Sequence, residues 1–331
     1  MQAFIEGMPK AELHVHIEGT LEPELSFALA KKNNIELPYD TPEALIAAYD
    51  FHDLPSFLKI YYAGMSVLID EDDFYQLTWD YLEKAASQNV VYTEIFFDPQ
   101  GHTSRGVSFD TVITGIRKAQ TAAEEKLGIR SQLIMCFLRD MSAESAMEHL
   151  VMAKPYLGWL VGVGLDSDEH NNPPVKFREV FKLAKEWGLK LTMHCDVNQK
   201  NTLEHIRQVI EIIGVDRIDH GVNSLESDDL CELINSHKLG LTVCPVSNQF
   251  VVQSLTSNEI RQMLDKGMLA TINSDDPAYF RAYMNENLIA LQQEGDFSRE
   301  DLKTLMANAF TVTWLPEDDK QVYLDQLNAY C

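Results

Sequence analysis

Short apolar runs alternate with helix-like stretches along the whole of this chain, and this alternation restricts the folds that it can adopt. Runs of this length and composition are typical of buried parallel strands, which are covered on both faces by helices. Eight strands that alternate with helices predict an α/β protein with a (β/α)8 TIM barrel, and a doubly wound open sheet is the alternative. The eight runs are Ala11–His16, Val90–Phe97, Gln132–Leu138, Leu160–Leu165, Leu189–His194, Arg217–His220, Gly240–Cys244 and Leu269–Ser274.

The interval between the first two runs is much longer than the others, and about residues 21–89 read as a helical insertion. Because it follows the first strand directly, this insertion could cap the mouth of a barrel, or it could serve stability alone. Neither a linker composition nor a repeat divides the chain, so we expect a single barrel domain over residues 1–331 with this helical cap. The predicted helices of the cap are Pro23–Asn33, Thr41–Ala48, Leu54–Leu68 and Glu71–Gln88.

The charge and the cysteines of the chain limit which classes of partner and which cellular compartment fit this protein. The 51 acidic and 27 basic residues give a net charge of −24, which argues against nucleic acid and against an anionic membrane as partners. Five cysteines without a CxxC pair indicate reduced thiols, and we find neither a secretion signal nor a membrane-spanning run. We therefore expect a cytoplasmic protein that acts on a small heterocyclic molecule, and its oligomeric state, including a homo-oligomer, stays open.

Polar side chains collect where the predicted strands end. In barrel enzymes the chemistry lies on the face formed by the C-terminal ends of the strands, so these side chains would converge in space. Taken singly, a histidine at a strand end is more often a core or capping residue, and an Asp-Asp-Pro sequence can simply cap a helix. Their joint occurrence at several strand ends instead predicts one metal site. The set is His14, His16, His194, His220 and Asp275.

The types of these ligands indicate which metal they would hold. His14 and His16 are alternate residues of one strand, so both side chains can reach the same ion. Imidazole and carboxylate ligands without thiolates favour Zn²⁺, one per subunit, with Fe²⁺ or Mn²⁺ as alternatives. No lysine falls at a strand end where it could bridge two metals, since Lys190 lies inside its run. A metal with an open position activates water, which predicts hydrolysis.

Several blocks of the sequence resemble the adenosine/adenine deaminase family of the metal-dependent amidohydrolase superfamily. Two further segments, Glu94–Gln100 and Val163–Ser167, are more similar to its bacterial adenine deaminase branch. The resemblance covers nearly the whole chain and implies an amidohydrolase-type barrel with one zinc. The blocks that carry it are Met8–Pro23, Arg217–Val222, Leu241–Asn248 and Asn273–Pro277.

The resemblance also implies roles for individual residues. The zinc ligands would be His14, His16, His194 and Asp275. His220 would orient and activate the water together with Asp275. On the substrate side, Asp276 would contact a purine ring nitrogen, Ser167 would lie at the far side of the purine, and Asp98 would line the site or accept from an imidazole N–H.

One block departs from the family pattern. The family's fifth-strand motif is His-Ala-Gly-Glu, whose glutamate protonates the substrate ring, whereas this chain has His194-Cys195-Asp196-Val197. Valine cannot transfer a proton, and losing a general acid costs about 10²–10⁴-fold in rate. Asp196 could replace the acid from the adjacent position, Glu204 could reach back from the next helix, or the reaction could need no ring protonation. Cys195 lacks a base that would activate it, so we expect it to serve packing.

These observations lead to one main hypothesis and two alternatives. The main hypothesis is a zinc-dependent aminohydrolase, a hydrolase of non-peptide carbon–nitrogen bonds, that acts on adenine-like or N6-substituted purine bases. Metal-activated water would attack the ring, and an amine would leave. The first alternative is a metal-dependent hydrolase of another nitrogen heterocycle, such as a pterin, a pyrimidine or a cyclic amide. The second is a catalytically impaired, purine-binding relative.

Overall fold

Eight parallel strands form a nearly closed barrel, so the (β/α)8 prediction is confirmed and the open sheet is excluded. The computed structural model describes residues 1–49, 51 and 53–331. Each strand pairs with the next one in the sequence, from β1 to β8. At the seam between β8 and β1, the Asp275 N–H donates to the His14 carbonyl at 3.1 Å and the His16 N–H donates to the Asp275 carbonyl at 3.0 Å. The strands β1 to β8 are Lys10–His16, Val90–Phe97, Arg130–Leu138, Leu160–Asp166, Lys190–Cys195, Arg217–His220, Gly240–Val243 and Leu269–Ile272.

Helices follow the strands and cover the outside of the barrel. Their inner faces and the outer faces of the strands form the main hydrophobic core, in which most side chains are fully buried. The helices α1 to α17 are Gln2–Gly7, Pro23–Asn33, Pro42–Ala47, Leu54–Gly64, Glu71–Ser87, Pro99–Thr103, Phe109–Leu127, Ala143–Ala153, Arg178–Glu186, Thr202–Gln208, Asp228–His237, Pro245–Val252, Ser257–Asp265, Pro277–Phe280, Met284–Gly295, Arg299–Val312 and Glu317–Ala329.

The long interval between β1 and β2 contains α2 to α5, close to the predicted bounds. Residues 50 and 52 of this interval lie outside the described residues. The predicted helix Leu54–Leu68 is α4 followed by a short 3₁₀ turn, Met65–Val67. Gly64 is the last residue of α4. Only glycine fits there, because a Cβ would come within 2.4 Å of the Tyr279 hydroxyl. The aromatic side chains of α4 thereby pack on the segment that follows β8.

A buried polar group, which we call the floor, occupies the lower part of the barrel and consists of Glu94, Arg217 and Trp314. Arg217 donates to Glu94 at 2.6 Å, and its guanidinium lies 4.1 Å from the centre of the Trp314 ring. Lys10, the first residue of β1, donates to the Gln88 carbonyl at 2.7 Å. Glu94 and Arg217 therefore neutralise each other inside the barrel, whereas the Lys10 side chain donates only to backbone carbonyls.

Two further expectations can be compared with the structure. All five cysteines are free thiols, and four of them are buried. Within the described part of the chain, no helix combines the length and the apolar composition that a membrane crossing requires.

Candidate metal centre and active site

Four of the predicted ligands converge at the C-terminal ends of the strands. The site joins β1, β5 and the segment after β8, which come together because the barrel closes. His14 Nε2 lies 3.1 Å from Asp275 Oδ1, and His16 Nε2 lies 3.1 Å from His194 Nε2. One donor atom from each residue lies within 4.8 Å of all the others, and all four side chains are buried. This spacing matches donors that surround a single ion.

The outer nitrogen of His14 and that of His194 face polar side chains of β7 and β6, respectively. His14 Nδ1 lies 2.9 Å from the Thr242 hydroxyl, which itself donates to Asp219 at 2.9 Å. His194 Nδ1 lies 3.3 Å from the other oxygen of Asp219. Oxygen atoms at these positions favour a proton on Nδ1, which directs the Nε2 lone pair at the centre, as in metal-binding histidines.

His16 has the same arrangement through a different carboxylate. Its Nδ1 lies 3.4 Å from Asp166 Oδ2, while its Nε2 faces His194. Burial lowers the pKa of His16, and it lowers the pKa of His14 to about 4, so both rings are neutral. Lone pairs that face one another in a buried site repel, and a cation between them relieves this repulsion. The donor set therefore fits a divalent metal ion.

His220 and Asp196 lie beside the four donors. His220 Nε2 lies 3.3 Å from Asp196 Oδ1 and 4.0 Å from Asp275 Oδ2. The strand β5 ends at Cys195, so the alternation of the strand no longer controls where the Asp196 side chain points. Burial is the main cause that raises the pKa of Asp196, and the charge of His220 opposes it.

Three of the predicted site residues adopt left-handed backbone conformations. The φ angles are +72° at Ser167, +57° at His220 and +66° at Asp275. Such conformations are costly for residues other than glycine and collect at functional sites, where the surrounding structure holds them. The strain therefore indicates that the ends of β4, β6 and β8 hold side chains in particular positions despite an unfavourable backbone conformation.

The predicted substrate-contacting residues line one pocket with about 620 Å³ of empty space, part of it open to solvent. Residues from α4 form one wall of this pocket, where the Tyr62 hydroxyl donates to Ser167 at 2.7 Å and the Tyr61 hydroxyl donates to Asp98 at 3.4 Å. The predicted residues that line it are His16, Asp98, Ser167, His194, Asp196, Val197, His220, Asp275 and Asp276.

The position of the Asp276 side chain depends on its close approach to Gly19, in the block Met8–Pro23. A Cβ at Gly19 would lie 2.1 Å from Asp276 Oδ1, so only glycine leaves room for this carboxyl group. Asp276 Oδ1 is buried, and it has no hydrogen-bond partner within the described residues. A polar atom in this state is available to a ligand that enters the pocket.

Two of the other candidates lie away from the pocket. Glu204 is exposed on α10, where it accepts from Gln208 at 3.1 Å. Cys195 is buried in β5, and burial raises the pKa of its thiol. Neither residue is placed to act on a bound ring.

Sequence reasoning assigned no role to several residues that the structure places at the site. Asp219, which orients two imidazoles, directly precedes His220 in the block Arg217–Val222. The contribution of Thr242 depends on strand pairing between β6 and β7, which has no local signal in the sequence.

Comparisons with known proteins agree with this geometry. The sequence pattern of the adenosine deaminase family matches residues 9–330. An adenine deaminase of Marinomonas sp. is 52% identical over 334 residues, which cover 99% of both chains. An uncharacterised deaminase of Schizosaccharomyces pombe is 49% identical, covering 100% of this chain and 98% of its own. The crystal structure of an adenine deaminase from Arthrobacter aurescens superposes with a TM-score of 0.94 at 42% identity, covering 97% of this chain and 98% of the other. This chain belongs to the adenosine deaminase family.

Proposed function

We propose that the protein is a zinc-dependent aminohydrolase of purine bases, which breaks the bond between a ring carbon and its exocyclic amine. The observation that carries this proposal is the convergence of three imidazoles and one carboxylate within 4.8 Å, beside a pocket lined by further acid groups. When bound there, a zinc ion would act as a Lewis acid and lower the pKa of a water towards about 7.

His220 and Asp275 are the residues that hold and deprotonate the attacking water. The two oxygens of Asp275 serve different partners, because Oδ1 lies 3.1 Å from His14 and Oδ2 lies 4.0 Å from His220. The first oxygen belongs to the ligand set, and the second faces the place where water would be held. A base must lie within hydrogen-bond reach of the proton that it takes, and the 4.0 Å between His220 Nε2 and Asp275 Oδ2 is compatible with a water that contacts both.

Asp196 is the acid that protonates the substrate ring or the leaving amine. It takes the position next to Val197, which stands where the family motif has its glutamate. The Asp196 carboxyl lines the pocket and lies 3.3 Å from His220. Asp196 can therefore deliver a proton from this side of the site without an acidic side chain at position 197.

Asp276, Ser167 and Asp98 bind the polar edge of the purine, and an apolar wall faces the amine. Leu58, Val197 and Val251 are among the apolar residues that line the pocket, and we assign them to this wall. An apolar wall in place of an acid favours a substrate whose amine carries an alkyl group, because burying that group is worth about 0.8 kcal/mol per methylene. The favoured substrates are therefore adenine and N6-substituted adenines, with ammonia or an alkylamine as product.

The helical insertion, about residues 21–89, is a cap that excludes water from the bound ring, within a single domain over residues 1–331. This follows from the position of α4, whose Tyr61 and Tyr62 side chains close one side of the pocket. We further propose that the protein is cytoplasmic and has no nucleic-acid partner, in agreement with its charge of −24.

The first test is turnover and its dependence on metal. The purified protein should contain one zinc per subunit and should release ammonia or alkylamine from adenine and N6-methyladenine, in a panel that includes a pterin and a pyrimidine. Chelation should abolish turnover, and added Zn²⁺ should restore it. Turnover that survives complete metal removal, or turnover restricted to the pterin or pyrimidine, would refute the proposal.

The second test separates the candidates for the acid. Asp196→Asn should lower kcat by about 10²–10⁴-fold with zinc retained, because the amide cannot deliver the proton. Glu204→Gln, which alters the rival candidate on α10, should leave kcat unchanged. Val197→Glu should raise activity on adenine and lower it on N6-alkyl adenines. The reverse outcome for the Asp196 and Glu204 variants would assign the acid to Glu204.

A further inference from the structure

A second buried polar network lies behind the end of β5, outside the metal ligands. It joins Arg139, which follows β3, Glu169, which follows β4, and His205 on α10. Arg139 and Glu169 are essentially inaccessible to solvent, and His205 is 5% exposed. Buried charges are expensive unless they are paired and hydrogen-bonded, so a network of this kind needs an explanation.

We propose that Arg139, Glu169 and His205 are positioning residues that clamp the chain on both sides of Cys195 and thereby aim Asp196 at His220. This inference rests on the proposed function, in which Asp196 is the acid.

Glu169 forms the part of the clamp that holds Asp196. Its Oε2 accepts from the Asp196 N–H at 2.9 Å, and its Oε1 faces His205 Nδ1 at 2.5 Å. The ion pair with Arg139, at 3.4 Å, reaches the same Oε2 atom. One carboxylate therefore fixes the amide of Asp196 while a cation and an imidazole fix the carboxylate.

Arg139 forms the part of the clamp that holds His194. Its Nη1 donates to the His194 carbonyl at 2.9 Å, and its Nε donates to the Asn172 carbonyl at 3.1 Å. The carbonyl before Cys195 and the amide after it are thus held by two paired side chains. Together they set the direction in which the chain leaves β5.

The next residues of the loop are held from the opposite side. The Asn198 N–H donates to Asn223 Oδ1 at 2.8 Å, and Asn223 donates back to Asn198 Oδ1 at 3.0 Å. Asn198 adopts a left-handed φ of +58°, which asparagine tolerates well. Asp196 and Val197 therefore lie between two anchors, which hold the backbone from which their side chains project.

A role in stability alone would not require this arrangement. A buried ion pair can often be replaced by apolar residues of similar volume without loss of stability, so its retention is weak support for a structural role. The network ends on the backbone of two site residues, and a displacement of about 1 Å at a reacting group can cost about 10²-fold in rate. The two parts of the clamp should therefore affect different measurements.

The Glu169 part should control the chemical step. In Glu169→Gln the amide has one acceptor oxygen, so it cannot accept from Asp196 and His205 together. We expect kcat to fall by about 10–100-fold, with KM and zinc content nearly unchanged and the pH profile of kcat altered.

The Arg139 part of the clamp should control how tightly the metal is held. Arg139→Lys loses the fork that holds two carbonyls, and we expect zinc release to a chelator to become about 10–100-fold faster.

His205 allows a matched control and a conservative rescue. His149 on α8 is also buried, at 6% exposure, and bonds to Thr103 and to the Ser145 carbonyl away from the site. His205→Ala should lower kcat per bound zinc, His205→Gln should restore most of it because its amide can donate to Glu169, and His149→Ala should leave it unchanged.

The outcomes distinguish this inference from the proposed function. If the unaltered enzyme turns over no purine, the proposed function fails, and the zinc-release measurement on Arg139→Lys still tests the clamp. If the unaltered enzyme is active but kcat per zinc is equal in Glu169→Gln, His205→Ala and His149→Ala, the network is structural and the inference is overturned. Should Glu169→Gln fail to fold, the two His205 variants decide the question.

Discussion

The floor and the mouth of the barrel both bury polar side chains, but they treat charge in opposite ways. On the floor, Glu94 and Arg217 neutralise each other at 2.6 Å. At the mouth, carboxyl groups lie next to other carboxyl groups. Burial, followed by the charge of Glu18, raises the pKa of Asp98 to about 7, and burial and the charge of Asp98 raise the pKa of Asp166.

This difference shows how one barrel divides its tasks. The paired charges of the floor favour the folded state. At the mouth, carboxyl groups without a cationic partner and imidazoles that face one another oppose it. Such an arrangement persists only where the rest of the structure holds it and where a ligand supplies the missing charge. Variants of the two ends should accordingly fail in different ways.

The largest effect is expected at the mouth. In His16→Ala one of the three imidazoles is lost, so zinc content should fall well below one per subunit. Activity should fall by more than the roughly 10–100-fold that the loss of an outer metal partner causes. Metal analysis and initial rates measure both. Zinc content equal to that of His149→Ala would remove His16 from the ligand set.

At the floor, Glu94→Gln should reduce stability rather than chemistry. Removing one partner of a buried ion pair leaves the charge of Arg217 uncompensated, at a cost of about 3–5 kcal/mol in the free energy of unfolding. Denaturant unfolding of the zinc-loaded protein measures this cost, and kcat per folded molecule should be unchanged. Glu211→Gln, which breaks the exposed pair with Arg207 on the surface, is the control. Equal stability of the two variants would contradict the role given to the floor.

Lys10, which begins β1 at the same end of the barrel as the floor, makes the stability of the folded protein depend on pH. Burial is the main cause that lowers its pKa from 10.5 to about 7, opposed by the charge of Glu6. Between these two values the unfolded chain binds a proton that the folded chain has released, so the free energy of unfolding rises with pH, by up to about 1.4 kcal/mol per pH unit. Lys10→Met should remove this part of the slope between pH 7 and about 10.

Unfolding titrations at several pH values measure the slope. Lys190→Met is a matched control, because Lys190 also begins a strand but is exposed. If Lys10→Met and Lys190→Met have the same slope, Lys10 is not the source of the pH dependence.

The smallest effect is expected at the cap. Tyr62→Phe removes the hydrogen bond to Ser167, which is worth about 1 kcal/mol, and KM should rise about fivefold. Steady-state kinetics measure the change. Tyr156→Phe removes a tyrosine hydrogen bond to Asp110 away from the pocket and should leave KM unchanged. An unchanged KM in Tyr62→Phe would remove this contact from substrate retention.

Much of the architecture was predictable because it depends on local patterns. The runs Val90–Phe97 and Arg217–His220 coincide with β2 and β6, and the others differ by at most two residues at either end. The predicted helix Pro23–Asn33 is α2 without change. Period and apolar composition are properties of neighbouring residues, so the sequence contains them directly.

The partners of the site residues were not predictable in this way. The nitrogen His16 Nδ1 lies 3.4 Å from Asp166 Oδ2, and a carboxylate oxygen of Asp98, suggested as an imidazole partner, lies within 4.8 Å of both side chains. The direction of the Asp196 side chain was not predictable either, because β5 ends at Cys195 and strand alternation no longer applies to the next residue. These contacts depend on distances between strands that a single sequence does not contain.

The sequence by itself determined the barrel, the order of its strands and the residue types at the strand ends, because strand period and apolar burial act over a few neighbouring positions. Only the tertiary structure decided which of those side chains meet. The Arg217–Glu94 pair spans 123 residues of the chain, and the clamp on β5 joins segments after β3 and β4 to α10. Such contacts arise because closing the barrel brings distant strands to one axis, and each strand's register then selects which buried polar groups are satisfied.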